Sequence, residues 1–258
     1  MSSSRPAGLV ALVCGAAIII GGGAQGAERV VEMKKPAGWA RDIDAYPRIA
    51  RPADDAEKKI NAAVARLDGR VKKAVAECKS LAGGNADWTR TIEVTMRGPR
   101  YLSYVVTDNS NCGGAHPNVA STAIVYDLAT GAPVDWAKLL PGKLLGKVAL
   151  GDAGDGTKMI TLASQRLYDL YMAQYRAGER RGDKECTAAM AQLGGGGSPP
   201  AIAPYLDAAT GGLGVVVDAP HVLQTCADQM VIPPATLRAE GVSEATLKAI
   251  EAAKAAWK

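Results

Sequence analysis

The sequence predicts an α+β fold: mostly antiparallel sheets packed with two or three long helices, in two sub-domains that share a core. Three observations predict it. Helical and strand-like patterns come in blocks rather than in strict alternation, which fits antiparallel sheets flanked by helices better than a parallel sheet. One long segment carries apolar residues at helical spacing, and several short ones alternate apolar with polar. About 230 residues remain once a targeting segment is set aside, enough for one large core or two joined ones.

The elements follow in chain order. Met1 to Gly8 carries one basic side chain, Arg5, and no acid. Leu9 to Ile20 is an unbroken run of apolar and small residues, and Ala24-Gln25-Gly26 supplies the small side chains that a signal peptidase reads. The run is short of the roughly 20 residues needed to span a bilayer, so residues 1–26 read as a signal peptide, cleaved after Gly26 or alternatively after Ala27. An uncleaved N-terminal anchor is the other reading. Cys14 lies inside the apolar run behind Val13, where lipidation requires a small residue.

After a polar lead-in, Tyr46 to Arg51 reads as a short strand. Asp54 opens a long helix in which Ile60, Val64, Leu67, Val71, Val75 and Cys78 recur at steps of three and four, placing them on one face, and Gly83-Gly84 closes it. Strands are expected over Thr89 to Met96 and Tyr101 to Thr107. A polar loop from Asp108 to Asn118 leads to a strand over Ser121 to Leu128, a turn at Thr130-Gly131 and a short helical segment over Asp135 to Leu140. Thr157 to Arg176 reads as a second long helix with Ile160, Leu167, Leu170 and Tyr171 inward. Lys184 to Leu193 reads as a shorter helix, and Gly194 to Pro200 as an exposed flexible connection. Strands over Ala203 to Asp207, Leu213 to Val217 and Asp228 to Ile232 follow, and Ser243 caps a last helix with Leu247, Ile250 and Trp257 on one face. The two halves are residues 28–110 (strand, long helix, strands) and 111–258.

Removing residues 1–26 removes Cys14 and leaves Cys78, Cys112, Cys186 and Cys226. An even number in an exported chain implies two disulfides. Of the three connectivities, Cys78–Cys112 with Cys186–Cys226 joins segments read as neighbours, each loop contributing about 3–4 kcal/mol in the chain-entropy picture. No two of these cysteines stand at C-x-x-C chelating spacing. The formal net charge of +4 is small for the length and no block of like charge occurs, which argues against a nucleic-acid partner.

The most distinctive stretch is Asn111-Cys112-Gly113-Gly114-Ala115-His116-Pro117-Asn118. Two glycines open backbone conformations closed to other residues, and Pro117 pushes His116 toward extended geometry. Structurally, this is a turn whose imidazole bonds to neighbouring backbone. Functionally, it is a loop that presents a ligand-binding or catalytic imidazole.

Gly-Gly-Ala-His-Pro-Asn, a following strand, Tyr126 to Gly131 (YDLATG) and the Asp135 to Leu140 segment together resemble the RsiV/PdaC family of extracytoplasmic modules. The likeness runs from Tyr46-Pro47 to Val231-Ile232-Pro233. It implies an α+β envelope module, of the kind that senses lysozyme in RsiV and accompanies a catalytic domain in the peptidoglycan deacetylase PdaC. This sequence departs from the family at Ala219 to Cys226, where a Tyr-rich segment is usual.

Signs of catalysis are sparse. The two histidines, His116 and His221, show no H-x-x-x-H spacing, and there is no G-x-S-x-G elbow. A metal site would need His116, His221 and one of Asp108, Asp127 or Asp218 to meet in space. Asp152 to Gly156 lacks the later bidentate Glu of a calcium loop. The expectation is a periplasmic or secreted, non-enzymatic envelope recognition module that binds a lysozyme-like protein or peptidoglycan-derived glycan, with no cofactor, no metal and no stable membrane span after cleavage. His116, Asn118, Tyr104, Asn111, Gly113 and Gly114 are its candidate binding residues. A periplasmic hydrolase or deacetylase-like enzyme acting on envelope glycan is the alternative, and a purely structural envelope protein the second.

Overall fold

The computed structural model describes residues 29–82, 86–114, 116–152, 157–178, 182–196 and 198–257. The signal peptide at 1–26, the Gly83-Gly84 helix end and most of the turn at 152–156 lie outside the described residues. No helix among the described residues is long and apolar enough to cross a membrane.

Strand β1 (Met33–Lys34) pairs antiparallel with β2 (Arg48–Ile49), so the strand expected over Tyr46 to Arg51 contracts to two residues. Tyr46 leaves the ladder because its N–H donates to the Asp68 carboxylate instead, at 3.0 Å. Helix α1 (Asp55–Ala82) is capped by Asp54, whose carboxylate accepts from Glu57 N, and it buries the expected stripe from Ile60 to Cys78. Strands β3 (Asp87–Arg97), β4 (Tyr101–Asn111), β5 (Asn118–Asp127) and β6 (Ala132–Pro133) form a four-stranded antiparallel sheet in that order. The division at residues 110 and 111 falls within β4, so the two halves share this sheet as well as a core.

The polar loop expected over Asp108 to Asn118 is shorter, because β4 runs on to Asn111 and β5 starts at Asn118. Asp108 is buried in the sheet because Arg90 donates to it at 2.8 and 3.1 Å and the Trp88 indole at 2.9 Å. Read alone, an aspartate marks a turn; here its charge is matched within the fold.

A 3-10 turn over Trp136–Lys138, capped by Asp135, replaces the expected helical segment, and α2 (Gly142–Leu145) follows. Thr157 to Arg176 is not one helix. The chain makes β7 (Lys147–Asp152), a strand absent from the expected series, and β8 (Lys158–Ala163), and then α3 (Gln165–Ala177) capped by Ser164. The Ile160-to-Leu167 spacing mimics two helical turns, but Ile160 and Thr161 are β-branched residues paired with β7, and Ser164 starts the helix. Helix α4 (Lys184–Leu193) matches its expected bounds. Gly194 is buried rather than exposed: a Cβ there would lie 2.2 Å from the Tyr168 ring. Strands β9 (Ile202–Asp207), β10 (Gly212–Val217) and β11 (Met230–Ile232) complete a five-stranded sheet of order β11-β10-β9-β8-β7. The chain ends in α5 (Pro234–Ala239) and α6 (Glu244–Ala255), the latter capped by Ser243.

Alternation in the four-stranded sheet sends one set of side chains (Ile92, Leu102, Tyr104, Val106, Ile124, Tyr126) toward Ile60, Val64 and Leu67 of α1. The other set (Met96, Val105, Ala123, Val125) joins a larger cluster that crosses β9 and β10 to Tyr168, Tyr171 and Leu247. All six residues of β9 and of β10 are buried.

The two sheets meet through hydrogen bonds as well as apolar contact. Strand β9 touches β8 at one bridge only, Leu162 to Ile202. Farther along, Leu206 turns its N–H and C=O to the neighbouring sheet, where a bulge between Val94 and Met96 brings Thr95 beside Ser103. Leu206 N donates to Ser103 Oγ at 3.2 Å, and Thr95 Oγ1 donates to Leu206 O at 2.8 Å. The two hydroxyl oxygens themselves stand 2.8 Å apart. Ala208 N donates to Thr95 O at 2.8 Å and closes the junction.

Cys78 bonds to Cys112 and Cys186 to Cys226, with Cα atoms 4.7 and 5.2 Å apart. Two disulfides fit an extracytoplasmic location. Glu240, just after α5, binds Arg166 of α3 and, at 2.8 Å, Lys143 of α2. Hydrogen bonds from these two cations hold its carboxyl down at about 2.

Ser103→Ala removes the acceptor of the buried Leu206 N–H, and urea unfolding is expected to show a loss of about 1–3 kcal/mol. Glu240 stabilises the fold while it is ionised, so its contribution is complete above the ordinary value of 4.5 and falls away as pH drops toward about 2. Melting temperatures measured across that window are expected to fall more steeply for the natural protein than for Glu240→Gln, which is the less stable of the two at neutral pH.

Candidate functional site

The β4–β5 hairpin tip is the Asn111–Asn118 segment, and two separate elements hold it. The Cys78–Cys112 disulfide ties its first side to the last turn of α1. There Gly113, at φ +87°, packs on Ala82, with its absent Cβ 3.2 Å from the Ala82 Cβ. Any side chain at Gly113 would meet both the strained backbone and that helix end. The Asn111 side chain accepts from Gly113 N at 3.2 Å, shaping the turn locally. Gly114 is exposed.

The second side of the tip is held by the segment just before β11. There a 3-10 helix, His221–Cys226, is fixed to α4 by the Cys186–Cys226 disulfide. Gln224 uses both ends of its amide: Val119 N donates to Oε1 at 2.8 Å, and Nε2 donates to Asn118 Oδ1 at 2.9 Å. His221 Nε2 lies 2.8 Å from Pro117 O. A carbonyl only accepts, so Nε2 carries the proton and, in the neutral ring, Nδ1 is left as an acceptor.

These contacts bring His116 and His221, distant in sequence, to a ring separation of 6.0 Å with a tilt of 42°. The His116 and Pro117 side chains stand exposed at the tip. Beside them is a cleft of about 200 Å³ whose lining includes Asn118, Ser121, Thr122, Asp152, Asp218 and Gln224. The arrangement offers exposed imidazole and amide groups on a fixed backbone, next to a small cleft of hydroxyl, amide and carboxylate groups.

Of the expected binding residues, Asn111, Gly113, Gly114, His116 and Asn118 share the tip. Tyr104 does not. It is fully buried under α1, edge-on to Tyr46 at 5.4 Å, and its hydroxyl donates to Pro47 O at 2.9 Å. Burial pushes its phenol far above the ordinary value. Its place midway along β4, on the inward face, makes it a core residue. Asp108 and Asp127 are committed to Arg90 and Arg100, while Asp218 lines the cleft. No three His, Cys, Asp or Glu side chains among the described residues stand together as a metal site.

Gln224, the residue that clamps the tip, escaped the sequence reading. Nothing in Val222-Leu223-Gln224-Thr225 marks it. The one signal is positional, since it falls in the stretch that departs from the RsiV/PdaC pattern and precedes Cys226.

No family model matches this chain, and no curated protein matches it. Among solved structures, it is similar to the crystal structure of a member of the DUF3298 family from Bacteroides fragilis, at 18% identity and a TM-score of 0.43, over 79% of this chain and 75% of that one.

Proposed function

We propose that this protein is an exported, non-enzymatic recognition module of the cell envelope, which binds a lysozyme-like protein or peptidoglycan-derived glycan through its β4–β5 tip. The observation that carries the reading is the threefold anchoring of an exposed loop. The tip is held by a disulfide to α1, by the Gln224 amide and by His221, yet the His116 and Pro117 side chains face outward. A loop ordered before it meets its partner does not lose that conformational freedom on binding, which is how a small contact area reaches useful affinity. The polar cleft beside the tip supplies hydroxyl, amide and carboxylate partners of the kind that sugar hydroxyls and acetamido groups require. The likeness to the RsiV/PdaC pattern names the two ligands.

One observation favours a second reading. The His116–His221 pair stands near a cleft that holds Asp218, a neighbourhood in which an imidazole can act as a general base in glycan hydrolysis or deacetylation.

The test is a pull-down of the disulfide-intact protein against lysozyme and against insoluble peptidoglycan, with a salt titration, and an assay for glycan or acetate released from the same peptidoglycan. Saturable binding to one of the two is expected, weakened about tenfold by His116→Ala, the scale of one contact residue at ~1.4 kcal/mol. Gln224→Ala is expected to weaken it as well and to raise amide exchange at Val119, with the rest of the sheet still protected. Absence of binding to both ligands overturns the proposal. Release that depends on His116 replaces it with the enzymatic reading.

A further inference from the structure

The two larger sheets have four outer edges, and the fold treats one differently from the rest. An open edge presents unpaired N–H and C=O groups in a row, which proteins cover, shorten or charge. The edge of β3 is strapped: Val31 N donates to Arg97 O, Arg90 N to Asp42 O and Asp44 N to Arg90 O, at 2.8, 2.8 and 3.0 Å. Strand β6 has two residues, and β11 has three with α3 packed against it. Strand β7 has six residues, Lys147–Asp152, five of them exposed, and no strand beside its outer edge among the described residues.

Its side chains are also unusual for an edge. Val148 is 48% and Leu150 74% exposed, two of the five large apolar residues that stand out among the described residues. Spaced two apart, they share one face of the strand. On that face Leu150 borders a largely apolar cleft of about 180 Å³ between the sheets, lined by Leu67, Ile124, Tyr126, Trp136, Ile160 and Pro204. An added strand placing two apolar side chains over this cleft would extend the sheet and cover both exposed residues.

The chain itself carries such a strand. We propose that a second copy of this protein pairs with it antiparallel along β7, giving a two-fold dimer with one continuous sheet. Identical strands related by a two-fold axis present the same alternation of inward and outward residues, so facing residues must have positions of equal parity. The register centred on Ala149 meets this rule. It sets Val148 opposite the partner's Leu150 and Leu150 opposite the partner's Val148, Ala149 opposite its own copy, and Lys147 opposite the partner's Gly151. Both exposed apolar residues are then covered twice over, on the cleft face. The neighbouring register, centred on Leu150, sets Val148 against a charged Asp152 instead. Self-complementarity of the apolar pair is what singles out a second copy as the occupant.

Sedimentation or light scattering of the disulfide-intact protein tests this over a range of concentrations. The expected result is a mass that doubles as concentration rises. Leu150→Lys should move the midpoint at least tenfold higher, while Leu81→Lys, at an exposed position on α1, leaves it unchanged. In the Ala149-centred register, Ala149→Cys places the two introduced cysteines with Cα atoms about 4.5–5.5 Å apart, within disulfide reach. It should yield a cross-linked dimer on a non-reducing gel, and more of it than Leu150→Cys. A monomer at the highest soluble concentration, or a dimer indifferent to Leu150→Lys, overturns the proposal.

Discussion

The structure turns on a closed ring of hydrogen bonds at the junction of its two sheets. Sheets that pack face to face usually exchange only apolar contact, because a backbone amide facing a sheet's side chains has no partner. Here β9 leaves β8 after a single bridge and points the Leu206 N–H and C=O into the neighbouring sheet. The β3 bulge answers with Thr95 beside Ser103, and the two adjoining hydroxyls link Leu206 N–H back to Leu206 C=O. A one-residue slip of β9 would set Leu206 out of reach of these hydroxyls and move its neighbours to the wrong face. The ring therefore fixes the register between the halves of the chain, which apolar contact alone leaves free.

A second constraint follows from composition. The chain has no phenylalanine and eight tyrosines, so nearly every aromatic ring that fills its core brings a hydroxyl inside. Tyr104 donates to Pro47 O, Tyr168 to Met190 O and Tyr171 to Asp228 O, each reaching backbone distant in sequence. Burial pushes the Tyr126 and Tyr168 phenols up to about 12. These rings do two tasks at once: they supply apolar area, and their hydroxyls tie down backbone that lies outside the sheets. The Tyr168–Tyr171–Tyr175 row on α3, with successive rings 5.6 and 5.8 Å apart, is where the larger core meets the helices.

Much of this was legible in the sequence where the signal was periodic or covalent. The α1 stripe from Ile60 to Cys78, the alternation of Ile92 and Val94, and the caps at Asp54 and Ser243 each act locally, so local pattern reveals them. The cysteine pairing followed from reading Cys78 and Cys112 as belonging to neighbouring elements. What escaped the reading depends on partners far along the chain. Asp108 looks like a turn residue until Arg90 and Trp88 are placed around it. Ile160 sits at helical distance from Leu167, and only β7 reveals it as part of a strand. Tyr104 reads as an available polar aromatic, because its acceptor on Pro47 lies 57 positions away. At the tip, Asn111, Gly113 and His116 announced themselves through backbone-shaping neighbours, whereas Gln224 acts through one flexible amide that no local pattern marks.

The disulfide from α1 to the hairpin tip adds a dependence on place and time. In a reducing compartment, thiols are kept apart and this cross-link does not persist. A chain there positions the tip without its covalent link to α1, and the 3-10 helix that supplies the Gln224 and His221 hydrogen bonds likewise lacks its own tether to α4. Oxidation closes both links, one on each side of the same loop. The surface around His116 is thus fully tethered only where an oxidising compartment keeps both cross-links closed.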